Sequence, residues 1–555
     1  MAKERLIYLP LGGAGEIGMN MYVYGYGHPG KERLIVVDAG VSFPDMDNTP
    51  GVKLIMADFD WLIERDTQVE AIFLTHGHLD HVGAIPFLAE YFDVPMYARP
   101  FSIKVAEARL LEHGVIGDNL QTINDPSKYI EAGPFSVRFL PISHSIPESS
   151  ALVIDTPEGR IIHTGDFKID QLPIIGDPFD PDAVEEESEV EVIALVCDST
   201  NVLEDRNGRS ESSISENILE LITRCKGLVV ATTFASHIAR VYQFAKIAEQ
   251  CQRSVLLLGN AIERMVGYAV ETNVIPDLPN VVSLAQAKNI PRHKLLVLAT
   301  GSQGEPRAAT AQLARGTLFK GIQLKKGDTV IYSSKTIPGN EKLVGKIKNK
   351  FAALGVDIID EPSNDYHVSG HPPQGDLEEI HQVINPNLII PMHGEYRHLS
   401  THAEVAQTNG FKSVIAPNGT MVNILTGSII AEESFNPERI YLDGHFLIGS
   451  QNRVVLNRLK MARNGCVKVS LLLKGNVFRK NGLKIQALGL TDMGMKDLRK
   501  SIHKDIAQLV KTFHRRINSD DTEIVGKIEK ITLRLTRSIF DKNPLIMVEI
   551  FQLDE

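Results

Sequence analysis

The sequence predicts an α/β protein of several domains, and three observations carry that prediction. Strand-like runs in the first 200 residues deliver Asp38, the turn His76 to His81, His144 and Asp166 at their ends, so four loops can converge on one edge of a β-sandwich. Helix-like and strand-like runs alternate between about 210 and 355, the pattern of a parallel α/β sheet. Beyond about 455 the chain turns to two charged helices flanked by strands, a small α+β module. At 555 residues the chain is too long for one core, and 43% hydrophobic with 23% charged residues is ordinary for a soluble globular protein.

Composition narrows the function classes. Cys197, Cys225, Cys251 and Cys466 lie far apart without a CxxC pair, which points to reduced thiols and a cytoplasmic protein rather than a disulfide framework. No apolar run is long enough to span a bilayer, and the first residues lead into a strand rather than a signal peptide, so no membrane partner is expected. A formal net charge of -11 argues mildly against a broad nucleic-acid-binding face, although a local basic channel is compatible with it.

The opening strand, residues 5–9, runs into Gly12-Gly13-Ala14-Gly15-Glu16-Ile17-Gly18, a literal GxGxxG with Asp38 downstream. A dinucleotide site needs a helix after those glycines, whereas residues 19–26 are aromatic and β-branched and read as a strand, so a glycine-rich hairpin is expected instead. The next strand, 34–37, presents Asp38, a carboxylate suited to hold a metal-binding imidazole in one tautomer.

Thr75-His76-Gly77-His78-Leu79-Asp80-His81 follows the buried-strand pattern of 69–74 and precedes a helix expected to open at 82–89. His76 and His78, two apart on an extended segment, can point the same way, while the adjacent Asp80 and His81 diverge, so one turn can serve two metals. Imidazole with carboxylate and no cysteine suits a catalytic zinc, manganese or iron site rather than a thiolate structural one. His144 and the corner Gly165-Asp166 are weak signals singly and gain weight from their order.

In the middle section, helices are expected at 215–225 and 237–249 and strands at 228–232, 255–258, 295–299 and 329–332. The turns 234–237, 301–306 and 333–335 offer free backbone N–H groups to an anion. A helix is expected from Glu395, strands to about 431, a connector over 432–455, then a strand at 467–473, a basic helix at 495–515 with Arg515 and Arg516, a second charged helix at 521–537 and a last strand at 544–551. The mixed charge of this tail suits a solvated face, oligomerisation or RNA contact.

The order of a strand-end Asp, a HxHxDH turn, a strand-end His and a Gly-Asp corner resembles the metallo-β-lactamase superfamily over residues 1 to about 200. Cys197-Asp198-Ser199-Thr200, His367-Val368-Ser369-Gly370-His371 and Pro391-Met392-His393-Gly394-Glu395 resemble the further motifs of its β-CASP nucleases, and the whole length is similar to the ribonuclease J family. The resemblance implies an αββα sandwich over 1–210 and 356–431, an inserted β-CASP domain at 211–355 acting as a lid, a linker at 432–455 and a C-terminal domain at 456–555.

It further implies a metal-dependent ribonuclease with 5′-to-3′ exonuclease and endonuclease activity in mRNA decay and rRNA maturation, in which a hydroxide activated by two metals attacks the phosphodiester. His76, His78 and His144 would hold one divalent cation, Asp80, His81 and His393 the other, with Asp166 bridging; zinc is expected first, with manganese or magnesium as alternatives. Asp198 would orient His371 as general acid. Ser236, His237, His367, Ser369, Gly370 and His371 would receive the 5′-phosphate of an RNA, a monophosphate in preference to a triphosphate. A homodimer or homotetramer, and membership of an RNA-degradation complex, are expected on the same ground. The competing readings are a small-ester or lactam hydrolase, a β-CASP DNA nuclease, and a non-catalytic RNA-binding scaffold; the first leaves the lid and the His371 and His393 motifs without a purpose, and the intact ligand set argues against the last.

Overall fold

The strand Arg5–Gly12 is buried at every position, which its composition permits because it lies inside a sheet rather than at an edge. This computed structural model describes residues 3–45, 47–360, 365–474, 477–513, 517 and 521–553. Its chain divides into two units, Met1–Ser42 with Met56–Pro437, and Phe43–Ile55 with Glu438–Glu555.

In the first unit, Arg5–Gly12 pairs antiparallel with Met21–Gly27, and Gly13, Gly15 and Gly18 take positive φ in the turn between them. The glycine run therefore makes a strand connection, as its aromatic continuation predicts, and no helix follows it. Met21–Gly27 continues through Arg33–Val37, Val69–Phe73 and Met96–Ala98 in an eight-stranded sheet. A second sheet of six strands runs Ile130–Ala132, Phe135–Pro141, Ser150–Thr156, Gly159–His163, Val192–Asp198 and Ile389–Met392. Their inner faces share one core in which Tyr8, Tyr24, Val37 and Phe73 meet Phe135, Phe139, Ile154 and Val196. Each such side chain contributes about 1.5–3 kcal/mol on burial, so the sandwich is a stiff base for the loops at its edge.

The outer face of the six-stranded sheet is covered by the helices Gln374–Ile384 and Tyr396–Thr408, through Leu377, Ile380 and Val405 against Leu195, Cys197 and Ile389. The inserted layer is a five-stranded sheet ordered Ser254–Leu258, Leu295–Ala299, Val229–Thr232, Thr329–Tyr332 and Asp357–Ile359, all parallel. Ser215–Arg224, Ile238–Gln250 and Glu341–Ala353 are among its helices.

Two expectations change. The helix expected at 82–89 is a pair of single turns, Leu79–Val82 and Ile85–Leu88, separated at Gly83, where a Cβ would stand 2.4 Å from the Leu79 carbonyl oxygen. Residues 432–455, expected as a connector, carry the hairpin Arg439–Asp443 and Phe446–Gly449 and the start of the helix Arg453–Asn464.

The second unit is built on the strand Cys466–Lys474, antiparallel to Val477–Leu488 and parallel to Leu545–Gln552. Val467, Val469, Leu471 and Leu473, alternate residues of that strand, pack on Leu498, Ile502 and Ile506 of the helix Met495–Lys511 and on Ile524 and Ile528 of Thr522–Phe540. The first of these helices ends at Lys511, and Arg515 and Arg516 lie outside the described residues.

Candidate active site

Every residue expected at the metal centre lies in the first unit, on loops that leave one edge of the sandwich. Asp38 follows the strand Arg33–Val37 with φ +62°, and His393 follows Ile389–Met392 with φ +48°, left-handed conformations that cost a non-glycine residue about 1–3 kcal/mol and turn each side chain out of its strand. Gly40 lets the turn come close, since a Cβ there would lie 1.6 Å from the Asp80 carbonyl oxygen.

Asp38 is fully buried. It accepts the backbone N–H of Thr75 at 2.8 Å and lies 2.7 Å from Nδ1 of His81. The hydrogen bond from Nδ1–H leaves the lone pair of His81 on Nε2, 3.2 Å from Oδ2 of Asp166. His144 is held the same way, its Nδ1 2.6 Å from the Gly370 carbonyl oxygen and its Nε2 directed inward, 3.2 Å from Nδ1 of His78. Nδ1 of His78 is also 3.1 Å from Nε2 of His76, while its own Nε2 meets the hydroxyl of Ser236 from the inserted layer at 3.1 Å. Outer nitrogens are thus engaged by the protein while inner nitrogens converge.

Asp166 stands at the centre. Oδ2 is 3.8 Å from Nε2 of both His76 and His144, and Oδ1 is 2.7 Å from Nδ1 of His393. Donor atoms of His76, His78, His144 and Asp166 lie within 4.8 Å of one another, as do those of Asp80, His81, Asp166 and His393. Nε2 of His393 is buried without a hydrogen-bond partner, and three facing imidazoles hold more lone pairs than their few protons can satisfy. The donor set of imidazoles and carboxylates, converging with buried unsatisfied atoms, fits divalent cations.

Electrostatics divide the histidines: burial lowers His81, but Asp166, Asp38 and Asp80 outweigh it and raise its pKa well above the ordinary range, whereas other rings at the centre are held low. Burial pushes His76 and His144 well below the ordinary range and His78 down to about 4, so these rings are neutral and able to ligate. Burial also pulls on His371, but Asp198 and then Asp166 outweigh it and push its pKa up to about 9. Nδ1 of His371 is 2.8 Å from Oδ2 of Asp198, and the ring is 22% exposed, accessible from the cleft.

Residues 15–196 match the metallo-beta-lactamase superfamily, 226–351 the beta-CASP domain of ribonuclease J, 361–417 the Zn-dependent metallo-hydrolase RNA specificity domain and 453–553 the ribonuclease J C-terminal domain. Ribonuclease J of Sinorhizobium meliloti is 36% identical over 552 residues, 96% of this chain and 98% of its own. The chain belongs to the ribonuclease J family. Ribonuclease J 1 of Streptococcus pyogenes is 35% identical, covering 82% of this chain and 81% of its own. A solved protein of unknown function from Enterococcus faecalis V583, 17% identical, matches with a TM-score of 0.52 over 75% of this chain and 99% of its own, a likeness of fold alone. As a member of the ribonuclease J family the protein is a metal-dependent ribonuclease, and among the described residues no helix is long and apolar enough to cross a membrane.

The residues expected at the RNA 5′ end are less uniform. Ser236 Oγ is 3.1 Å from Nε2 of His78 and Ser369 borders a small cavity with His367, but His237 is 2% exposed, with Nε2 3.4 Å from Oε1 of Glu211. Nδ1 of His367 lies 3.3 Å from Nη1 of Arg240, and Gly370 serves His144 through its carbonyl. Sequence reasoning missed Asn20, whose Nδ2 is 2.9 Å from Nε2 of His81, and Asn201, which donates to Ser369 Oγ at 2.7 Å and to the His371 carbonyl at 3.2 Å. Asn20 lies two residues past the glycine turn and Asn201 directly follows Cys197 to Thr200, stretches singled out for their chemistry, which was the available signal. It also missed buried Glu211, which joins Arg240 at 2.5 Å to Lys168 at 3.5 Å and so links the inserted layer to the loop after Asp166.

Proposed function

We propose that this ribonuclease degrades RNA from its 5′ end and also cleaves internally, with His76, His78 and His144 holding one cation, Asp80, His81 and His393 a second, and Asp166 shared between them. The observation that carries the reading is the sharing of Asp166 between two donor groups, with the Asp198–His371 pair alongside. Two bound divalent ions, zinc first with manganese or magnesium as alternatives, supply Lewis-acid charge at the phosphate and a water activated for attack at neutral pH.

The protein's own groups do the rest. Asp38, Thr75 and Gly370 fix the ring orientations of His81, His76 and His144, so that little reorganisation is needed when a phosphodiester arrives. His371, protonated at neutral pH and backed by Asp198, donates its proton to the leaving oxygen. Ser369, with Ser236, His367 and the Gly370 backbone, receives the terminal 5′-phosphate, while His237 acts behind them through Glu211. The biological setting that fits is mRNA decay and rRNA maturation in the cytoplasm, by a homodimer or homotetramer, within an RNA-degradation complex.

The test uses matched RNA and DNA oligonucleotides, labelled at the 5′ end or internally, with zinc, manganese or magnesium added separately. Release of 5′ mononucleotides together with internal fragments from RNA is expected. Equal turnover of DNA would replace this reading with a DNA nuclease, and no turnover with any metal would leave only RNA binding.

A further inference from the structure

Outside the active site, three metal-ligating side chains meet in the layer behind it. Cys197 lies on the strand Val192–Asp198, His381 on the helix Gln374–Ile384 and His402 on the helix Tyr396–Thr408, and their donor atoms lie within 4.8 Å of one another. All three residues are fully buried. Because side chains alternate along a strand, Cys197 and Ser199 face the helices while Asp198 faces the active site. We propose that Cys197, His381 and His402 form a zinc site, separate from the catalytic cations, that pins both helices to the strand carrying Asp198.

The hydrogen bonding around the cluster supports this. Ser199 Oγ is 2.8 Å from Nδ1 of His402 and 3.4 Å from the Cys197 carbonyl; with the hydroxyl donating to the carbonyl, it accepts from Nδ1–H and leaves the His402 lone pair on Nε2. Such a second partner, fixing the tautomer from behind, is the usual support of a metal-binding histidine. Nε2 of His402 faces Nε2 of His381 at 3.0 Å, and Nδ1 of His381 is buried with no hydrogen-bond partner. Without an ion, His381 Nε2–H donates to the lone pair of His402 Nε2; an ion between them would take both lone pairs and move the His381 proton to Nδ1.

Burial keeps both rings neutral, as ligands must be. It also keeps the thiol protonated, with Asp198 adding to the effect and Thr164 opposing it by a hydrogen bond, so binding an ion releases that proton. Two nitrogen ligands of tetrahedral zinc stand roughly 3.3 Å apart for bonds near 2.05 Å. The two rings, 14° from parallel, therefore separate by about 0.3 Å and turn to aim both lone pairs at the ion. Two imidazoles and a thiolate without a carboxylate select zinc over the oxygen-preferring magnesium or manganese, and a water completes the coordination.

The active site contains no cysteine, which makes the two kinds of site separable by spectroscopy. The full chain is stripped with a chelator and reloaded with cobalt(II). A thiolate-to-cobalt charge-transfer band in the near ultraviolet is expected in the unmodified protein and in Cys466→Ser, and is expected to be absent in Cys197→Ser, which also binds one zinc fewer per chain by elemental analysis. A fully loaded unmodified protein without that band overturns the site, whether or not any variant folds. So does a band that survives Cys197→Ser. Neither result bears on the catalytic cations, whose ligands give no thiolate transition.

Discussion

Nδ1 of His371 stands 2.8 Å from Oδ2 of Asp198, whose other oxygen accepts the backbone N–H of Thr200 at 2.9 Å and its hydroxyl at 2.7 Å. Asp198 is thus fixed from one side and free to act on His371 from the other. A general acid must be protonated, so its contribution is full below its pKa of about 9 and lost as pH rises through that value. Asp198→Asn removes the leading charge that raises the pKa. The alkaline limb of kcat is expected to move to lower pH, and kcat at neutral pH to fall by about 10²–10⁴-fold. An alkaline limb that stays in place, measured with metals saturating, would remove His371 from the role.

Asp80 has a side chain 33% exposed, so its loss leaves the core untouched. Asp80→Ala is expected to abolish cleavage, lower bound metal and keep the thermal unfolding midpoint of the metal-stripped protein close to that of the unmodified chain. Elemental analysis and turnover after dialysis check this. Near-normal turnover would sink the two-cation assignment.

Glu211 gives a stability prediction with a definite sign. Burial would raise its pKa, but Arg240, His237 and Lys168 outweigh burial and hold it well below the ordinary glutamate range. The carboxylate therefore stabilises the fold fully above the unfolded value near 4.3, and that contribution disappears as pH falls through the lower folded value. Glu211→Gln leaves Arg240 buried and uncompensated, a loss of about 3–5 kcal/mol at neutral pH. Denaturant unfolding from pH 7 down to pH 3 is expected to show the difference from the unmodified protein shrinking toward the acid end. A difference that does not change with pH would assign the effect to packing.

What could be read from the chain alone follows from how local each signal is. The turn at His76 to His81 was legible because four metal-relevant positions fall in one loop after a buried strand, and the aromatic run after Gly18 separated a hairpin from a dinucleotide site. Asp38 and His81 are 43 residues apart, and the strand-end acid alone suggested a contact with a metal-binding imidazole without saying which one. The contacts of Asn201, Glu211 and the Cys197 cluster were not legible, because they join segments far apart in sequence through single uncharged or buried groups that have no periodicity. At His237 the local signal and the contact point different ways. This residue begins a helix after a strand, which suggests an anion site, but Glu211, 26 residues earlier, takes its ring inward.

The 5′ end supplies the last prediction. Ser369 Oγ accepts from Asn201 Nδ2 at 2.7 Å and from the His371 N–H at 3.3 Å, so its own proton is free to donate to a phosphate oxygen. Beside it lies a cavity of about 20 Å³ lined by His367, Ser369, Arg206, Arg209, Lys335 and Glu204, space for little more than one water. Lys335 is held 2.6 Å from Oε1 of Glu204, so part of the positive charge on this wall is already balanced. A single phosphate can meet the Ser369 hydroxyl, whereas the further phosphates of a triphosphate bring volume for which this wall has no space. RNA with a 5′-monophosphate is therefore expected to be degraded from its end faster than the same RNA with a triphosphate. Ser369→Ala should narrow that ratio several-fold while internal cleavage of a circular RNA, which has no end to bind, changes less. Asn201→Ala should act in the same direction by releasing Ser369. End-labelled and circular substrates at one salt concentration measure both activities, and equal end-dependent rates on the two 5′ ends by the unmodified protein would refute the pocket.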